Sequence, residues 1–501
     1  MSVKNKNSFI LYTSALVIGL VLLNLISRNI FKRIDLTDNK MYSLSESSKN
    51  IVSKVDDILT MKIYFSENLP NELGNTRRFL QDILEEFSAY SNNNIRFYFH
   101  NPESDNDLKD QATKDGIQPV QMQVIENDKV EIKKVYLGMV LLFEDKKESI
   151  PVIQTTAGLE YLISTKIKTL INVDKKTIGL AHLNTEVDVK TQNLSSQLSQ
   201  HYKFKNVDLT NLEPSSVDVL LVSGAVDTLD TLVRNNMDLF LASGKAILLT
   251  QSGVTTDIQT QQANIIESDI FNFSEKYGIN IQKNLVLDGN CGSVQVQERR
   301  GIFVMNRPME YPFFPIIKTF NNNQLVVSDL EQALLFFPSE IQLDTTVNDL
   351  VTEIFPLFKS SNNSGEMQSN WMLSPDPQQN PFIRMLGQDS KILAASSKLA
   401  NGGELMVVGD SKLLFDDSGM SVNDNMIFIM NAVDYLAGDE DLISLRSREI
   451  TNRPLTELED STRKKWKWIN IILPSLLIIG LGFYKLKNEN KRAEILRQIY
   501  D

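Results

Sequence analysis

Apolar residues fall into three patterns along this chain. Long uncharged runs lie near both ends, short alternating or solidly apolar stretches lie between them, and a less regular region interrupts those. The first run, Phe9 to Ile26 (FILYTSALVIGLVLLNLI), has 18 residues and no charge. As a helix it would span about 27 Å, enough for the hydrocarbon core of a bilayer. A cleavable signal needs small residues after its apolar part. Here SRNIFKR follows, so the expectation is an uncleaved transmembrane helix over 9–26. The second run, Ile469 to Tyr484, is bracketed by Trp466, Trp468 and Tyr484 and flanked by Lys and Arg. Interfacial aromatics favour this arrangement, and Pro474 is tolerable near the start of such a helix. The pattern predicts a connector helix over 457–467 and a second span over 468–486. Two spans place both termini on one side of the membrane and the chain from 33 to 462 on the other. Flanking lysines and arginines are nearly balanced, so charge alone does not choose the side.

The interior divides near residue 175. TMKIYF at 60–65 alternates as a strand does, and Phe79, Ile83 and Phe87 recur at helical spacing within 73–90. NNNIRFYFHNP gives a second strand, 105–114 a short helix, and 120–153 two or three antiparallel strands with turns at Asn127-Asp128 and Asp145-Lys146. A helix over 157–171 closes the unit. The order β-α-β-α-β-β-α over 33–174 is that of a thioredoxin-like domain without the redox CxxC pair. From 176 to 455 strands alternate with helices: KTIGLAHL, FKNVDL, VDVLLVSGA, KAILLTQSG and GELMVVGDS are strands. LDTLVRNNMDLFLASG and NDNMIFIMNAVDYLAG are helices stopping at Gly244 and Gly438, the second starting at an Asn/Asp cap. Solid apolar strands separated by helices indicate a Rossmann-like or amidotransferase-like α/β domain, with a parallel sheet covered on both faces. The Gln-, Asn- and Pro-rich stretch 255–390 reads as an insertion of irregular strands and loops.

Composition narrows the chemistry. The 501 residues are 42% hydrophobic and 23% charged, with a net charge of −12. An acidic surface argues against nucleic acid as a partner. One cysteine, Cys291, cannot form an internal disulfide or a cysteine zinc site, and three histidines (His100, His182, His201) make a histidine-rich metal site improbable. No metal ion or cofactor is expected. SGKAI at 243–247 lacks the upstream glycine and the hydroxyl of a phosphate-binding loop and precedes a strand, so the chain is not itself an ATPase. GDSKLL at 409–414 resembles an esterase serine block, but no histidine follows His201 to act as base. Its expected role is a strand-end turn. Cys291 lies in the turn DGNCGS, where no elbow would activate a thiol. His100 reads as a strand-end residue, Asn423–Asn425 as a helix cap rather than a cation site, and LISLRSREI as a solvated edge strand carrying Arg446 and Arg448 on alternate positions.

RIDLTDNKMYSLSESSKNIV, residues 33–52, follows the first apolar run directly. Asp35, Thr37 and Asp38 suit a turn. Ser43 or Ser45 suits a helix cap, with Glu46 placed for a capping box after Ser43. The block resembles the one that opens the soluble region of the gliding-motility GldG proteins, as do NLVLDGNC, YPFFPII, ELMVVGDSKLLFDD and FIMNAVDYLAGDEDLISLRSREI. Together these blocks run from about residue 30 to 485. The resemblance implies a non-enzymatic auxiliary ("substrate-binding") subunit of an ABC transporter serving gliding or envelope export. It implies a separate permease and ATPase, two spans in the cytoplasmic membrane with both termini cytoplasmic, and a large periplasmic region open to a glycan-like or envelope ligand. It also implies a central domain shared with intraflagellar transport proteins and similar to sugar-binding or amidotransferase-like folds without their catalytic residues. Relatives often read Gly-Pro where this chain has Gly224-Ala225. Asp35, Tyr42, Leu44, Arg446 and Arg448 are the residues expected to dock a partner. The alternatives are a membrane-anchored hydrolase or amidotransferase-like enzyme, and an envelope scaffold.

Overall fold

Ser45 opens the folded part. Its backbone is extended, its Oγ accepts from the Ser48 amide at 3.0 Å, and the helix Glu46–Ser53 follows. This is helix α2; residues 13–20 (α1), inside the first apolar run, are also helical. The computed structural model describes residues 13–20, 43–67, 69, 71–126, 129–172, 175–184, 189–300, 303–328, 330–346, 349–376, 378–387, 389–449 and 460–500. The rest of 9–26, the Asp35–Asp38 turn and the Asn127-Asp128 turn lie outside them. Of the two cap candidates Ser45 takes the role. Its own amide is held from elsewhere: it donates to Glu160 Oε1 at 2.7 Å, and the Ser48 hydroxyl donates to the same oxygen.

Four strands form the first sheet: β1 (Leu59–Phe65), β2 (Ile95–His100), β5 (Leu137–Phe143) and β6 (Lys146–Ile150), with β3 (Val120–Glu126) and β4 (Lys129–Val135) as a separate hairpin. Their order is β2-β1-β5-β6, with β1 parallel to β2 and antiparallel to β5, and β5 antiparallel to β6. Period-two alternation sends Leu59, Met61, Ile63 and Phe65 to one face. There they meet Leu80, Leu84 and Phe87 of α3 (Asn71–Tyr90) and Ile163, Ile167 and Leu170 of α5 (Leu159–Ile171). Tyr64 points the other way, to Ala112 of α4 (Asn106–Lys114). Ile51, Val52 and Val55 bring α2 into the larger core.

The second sheet has eight strands. β7 (Thr177–His182), β8 (Lys203–Asn206), β9 (Val219–Ser223), β10 (Ala246–Thr250) and β23 (Glu404–Val408) are parallel in the order β8-β7-β9-β10-β23. β9 and β10 are buried at every position, because helices cover both faces. α6 (Gln192–Leu198) and α9 (Asn423–Leu436) pack on one face through Leu194, Leu198, Phe428 and Val433. α7 (Thr231–Ala242) and α8 (Ile270–Lys276) pack on the other through Met237, Phe240, Ile270 and Phe273. Gly244 and Gly438 stop α7 and α9 with φ of +80° and +71°.

The insertion is less separate than its composition suggests. β17 (Thr319–Phe320) and β20 (Val351–Lys359) join the main sheet antiparallel, beside β22 (Ile392–Leu399). β20 shifts register three times, at Val351/Glu353, around Pro356 and before Lys359, which erases its alternation in sequence. The remaining strands pair locally: β11 (Val254–Asp257) with β12 (Gln262–Ile265), β13 (Ile279–Ile281) with β19 (Ile341–Leu343), β14 (Leu285–Asp288) with β21 (Ser364–Met367), and β16 (Phe303–Ile317) with both β15 (Cys291–Arg300) and β18 (Ala333–Leu334). Tyr311, Phe313, Phe314 and Phe337 form their aromatic core.

Two sequence expectations change. The predicted edge strand around Arg446 is a helix, α10 (Glu440–Glu449): Leu442, Ile443, Leu445 and Arg446 are the buried positions, a helical spacing that outweighs the alternate arginines. α9 has Val422 at its cap, whose apolar side chain makes no cap bond. As expected, the connector runs helically into the second apolar run, as one helix, α11 (Asp460–Tyr500), with Pro474 inside it. The described residues up to Glu449 form one compact unit and those from Asp460 a second. Among the described residues one helix is long and apolar enough to cross a membrane, Thr462–Asn490, and none of its apolar window is buried.

Candidate functional site

Open parallel sheets bind ligands outside the carboxyl ends of their strands, where the strand order reverses. Here the chain leaves β7 for β8 on one side, then returns past it to β9 and β10, so the reversal lies between β7 and β9. His182 ends β7, and its Nδ1 lies 3.1 Å from the Ser223 hydroxyl at the end of β9. Gly224 follows with φ of +79°, and a Cβ there would stand 2.2 Å from the His182 ring. Phe415 packs edge-on against that ring, with centroids 5.3 Å apart. Burial lowers the imidazole pKa, and Nε2 is buried without a hydrogen-bond partner.

Along β10 and β23 the same edge is filled by the protein itself. Gln251 accepts from the Ala225 amide at 2.9 Å and donates to the Ala225 and Ser252 carbonyls, both at 2.8 Å. Ser252 shares its hydroxyl proton between the Phe337 and Gly409 carbonyls and accepts from the Ser411 amide at 3.0 Å. Ser339 donates its amide to Gly409 O at 2.7 Å, and its hydroxyl accepts from Gly253. The segment 336–340 of the insertion therefore crosses the strand ends as a plug. Asp410 fixes it, accepting from the Phe336 and Lys412 amides, each at 2.8 Å. Complete burial pushes the Asp410 carboxyl up to about 7, against the pull of those amides and of Lys412. Lys412 lies 5.0 Å above the Phe337 ring, its own pKa lowered by burial. The backbone approach requires a glycine: a Cβ on Gly409 would stand 2.2 Å from Ser339 O. Gly409→Ala is expected to cost about 1–3 kcal/mol by overpacking, measured as a fall in unfolding midpoint in denaturant.

A second constellation joins the two sheets. Arg446 of α10 is 7% exposed. It donates to Asn431 Oδ1 at 2.5 Å and Asp434 Oδ2 at 2.7 Å on α9, and to the Tyr161 hydroxyl at 3.1 Å on α5. The Tyr202 hydroxyl donates to Asp434 at 2.6 Å and Asp439 at 3.1 Å, and Lys168 of α5 pairs with Asp439 at 3.0 Å. Burial pushes the Asp434 carboxyl up, while Arg446 and Tyr202 pull it down. Beside this network α10 packs against α2: Leu445 enters the first sheet's core, and Lys54 lies 3.8 Å from Asp441.

The expected docking residues thus fare differently. Leu44 is 3% exposed within the core, its amide held by Glu86 at 2.8 Å. Arg446 is enclosed in the joint and does not present its guanidinium to solvent. Asp35, Tyr42 and the Arg448 side chain lie outside the described residues. Burial raises the Cys291 thiol to about 11, leaving little thiolate at neutral pH. GDSKLL forms the turn after β23, and Asn425 pins Leu334 of β18 through both its amide nitrogen and carbonyl. His100 ends β2 beside Tyr64. Tyr161, Tyr202, Asn431 and Asp434 escaped notice in the sequence. The signal was a polar pair three residues apart, Asn431 and Asp434, within an otherwise apolar helix.

Residues 175–432 match a family described as an ABC-type uncharacterized transport system, more than half of the 501 residues. The chain belongs to that family. Residues 38–142 match a domain of unknown function, DUF7088. An uncharacterized protein of Borreliella burgdorferi is 24% identical over 519 residues, covering 97% of this chain and 99% of its own length. Among solved structures, the IFT52 N-terminal domain is similar at a TM-score of 0.35 and 13% identity, over 52% of this chain and 97% of that one. A glutamine amidotransferase from Thermotoga maritima is similar at 0.25 and 6%, over 55% and 99%. Likeness at that level carries no argument about function.

Proposed function

We infer that this protein is a non-enzymatic, membrane-tethered auxiliary subunit of an ABC transporter for envelope export, the gliding-associated system being the specific form that the sequence resemblance implies. The family match over 175–432 carries the reading. A non-catalytic role is supported by the β10 and β23 strand ends, where Gln251, Ser252 and the 336–340 segment satisfy one another. A thioredoxin-like label for 33–174 is supported by the order β2-β1-β5-β6 and its one parallel pair. A second domain over 176–455 is supported by its own two-faced sheet. Two spans, with the folded unit in the periplasm and both termini in the cytoplasm, are what the sequence resemblance implies, and the helix Thr462–Asn490, long and apolar enough to cross a membrane, supports the second of them. Docking to the permease through the membrane-proximal stretch that includes Asp35 and Tyr42 is part of the same reading.

Purification from native membranes in mild detergent tests the assignment: a permease and an ATPase should accompany the tagged protein in stoichiometric amounts. Its isolation alone would sink the transporter reading. A chain ended at Glu449 tests the topology separately. It should remain in the membrane fraction through residues 9–26; if it becomes soluble, the first run is not a span.

A further inference from the structure

Where the two sheets meet, a small open cleft lies beside the Arg446 network. The first sheet's side supplies Lys168 from α5. The link into β7 supplies Lys175 and Lys176, and the second sheet's side supplies His201, Tyr202 and Asp439. Among the described lining residues three lysines therefore face one carboxylate, which Lys168 and Tyr202 already hold at 3.0 and 3.1 Å.

Helix carboxyl ends meet the cleft as well, and their carbonyls account for part of this charge. Lys176 donates to Ala437 O at the end of α9, and Lys175 reaches Gln200 O, just past α6, at 3.5 Å. An ammonium has three donors, so each lysine keeps two for something else. Three ammonium groups against one carboxylate leave the described lining with an excess of positive charge. The His201 imidazole is driven down to about 4, first by burial and then by Arg446, Lys166, Lys175 and Lys168 together.

We propose that this cleft binds a small soluble anion bearing a phosphate group, gripped by Lys168 from one sheet's side and by Lys175 and Lys176 at the entry to the other. Such a ligand bridges the joint between the sheets. The site stands independently of the transporter assignment.

The test is isothermal titration of the full chain in detergent with inorganic phosphate, against a matched chloride titration. Saturable binding in the submillimolar range is expected, with a phosphate-dependent rise in thermal midpoint that chloride does not reproduce. Lys175→Gln should weaken binding about tenfold, the loss of one charge-assisted contact, and its long bond to Gln200 O makes it a mild change for the fold. Lys176→Gln should weaken binding in the same direction. Lys283→Gln, at an exposed pair with Glu267 on the insertion, should leave affinity unchanged. No saturable heat up to about 10 mM phosphate, or equal affinity in the Lys175 and Lys283 variants, would overturn the proposal.

Discussion

Arg446→Ala is expected to lower the unfolding free energy of the folded region by about 3–5 kcal/mol, the usual result of removing one partner from a buried ion pair. Asp434 is fully buried, and its remaining partner would be the Tyr202 hydroxyl. Tyr161 and Asn431 would lose a donor in the same step. Denaturant unfolding followed by circular dichroism measures the loss. Adding Asp434→Ala removes the stranded carboxylate, so the double variant should be more stable than the two single losses summed, by at least about 1 kcal/mol. A loss under about 1 kcal/mol for Arg446→Ala would mean that the joint holds without its ion network. Because the network ties α5 to α9 and α10, the same variant should also loosen the first sheet from the second, read as faster amide exchange in α5.

The second large effect is set by pH. His201 has a folded pKa of about 4 against an ordinary value of 6.5. Between those values the unfolded chain binds the extra proton and the folded chain does not. The contribution of His201 is therefore fully present above pH 6.5 and is lost as pH falls through 4, to the extent of about 3 kcal/mol. Asp410 acts in the opposite sense. Its folded pKa of about 7 against 3.8 means the folded chain holds the proton longer, so its contribution is lost as pH rises toward 7. The two slopes overlap and largely offset each other in the wild-type curve. Comparison with His201→Phe separates them: the stability difference, wild type minus variant, should fall by about 3 kcal/mol between pH 7 and 4. A difference independent of pH would show that His201 is freely protonated in the folded protein.

Much of the architecture could be read in the chain because it is written locally. β7, β9, β10 and β23 are built on short, mostly apolar runs, and α7 and α9 stop at glycines with positive φ. The insertion resisted reading because its pairings are distant and bulged. β20 finds β22 only past β21, and Pro356 sits at a register shift that hides its alternation. Arg446 shows a different failure. Arginines two apart suggested an exposed strand, whereas the apolar residues at 442, 443 and 445 prescribed a helix that buries the first of them. The candidate sites were harder still. The joint draws Tyr161, Tyr202, Asp434 and Arg446 from positions up to 285 residues apart, and no local spacing announces such a meeting.

The plug over β10 and β23 behaves as a tethered competitor. Residues 336–340 are covalently part of the chain, and a tethered segment acts at an effective concentration on the order of millimolar. A molecule that could occupy those strand ends must displace the amides of Phe336 and Ser339 from Asp410 and Gly409 before gaining any contact of its own. Weak ligands are screened out by that competition. Any binder that did succeed would expel the segment and, through Asn284 and Ser339, disturb β14 as well, so occupancy of that edge and the packing of the insertion form a single equilibrium.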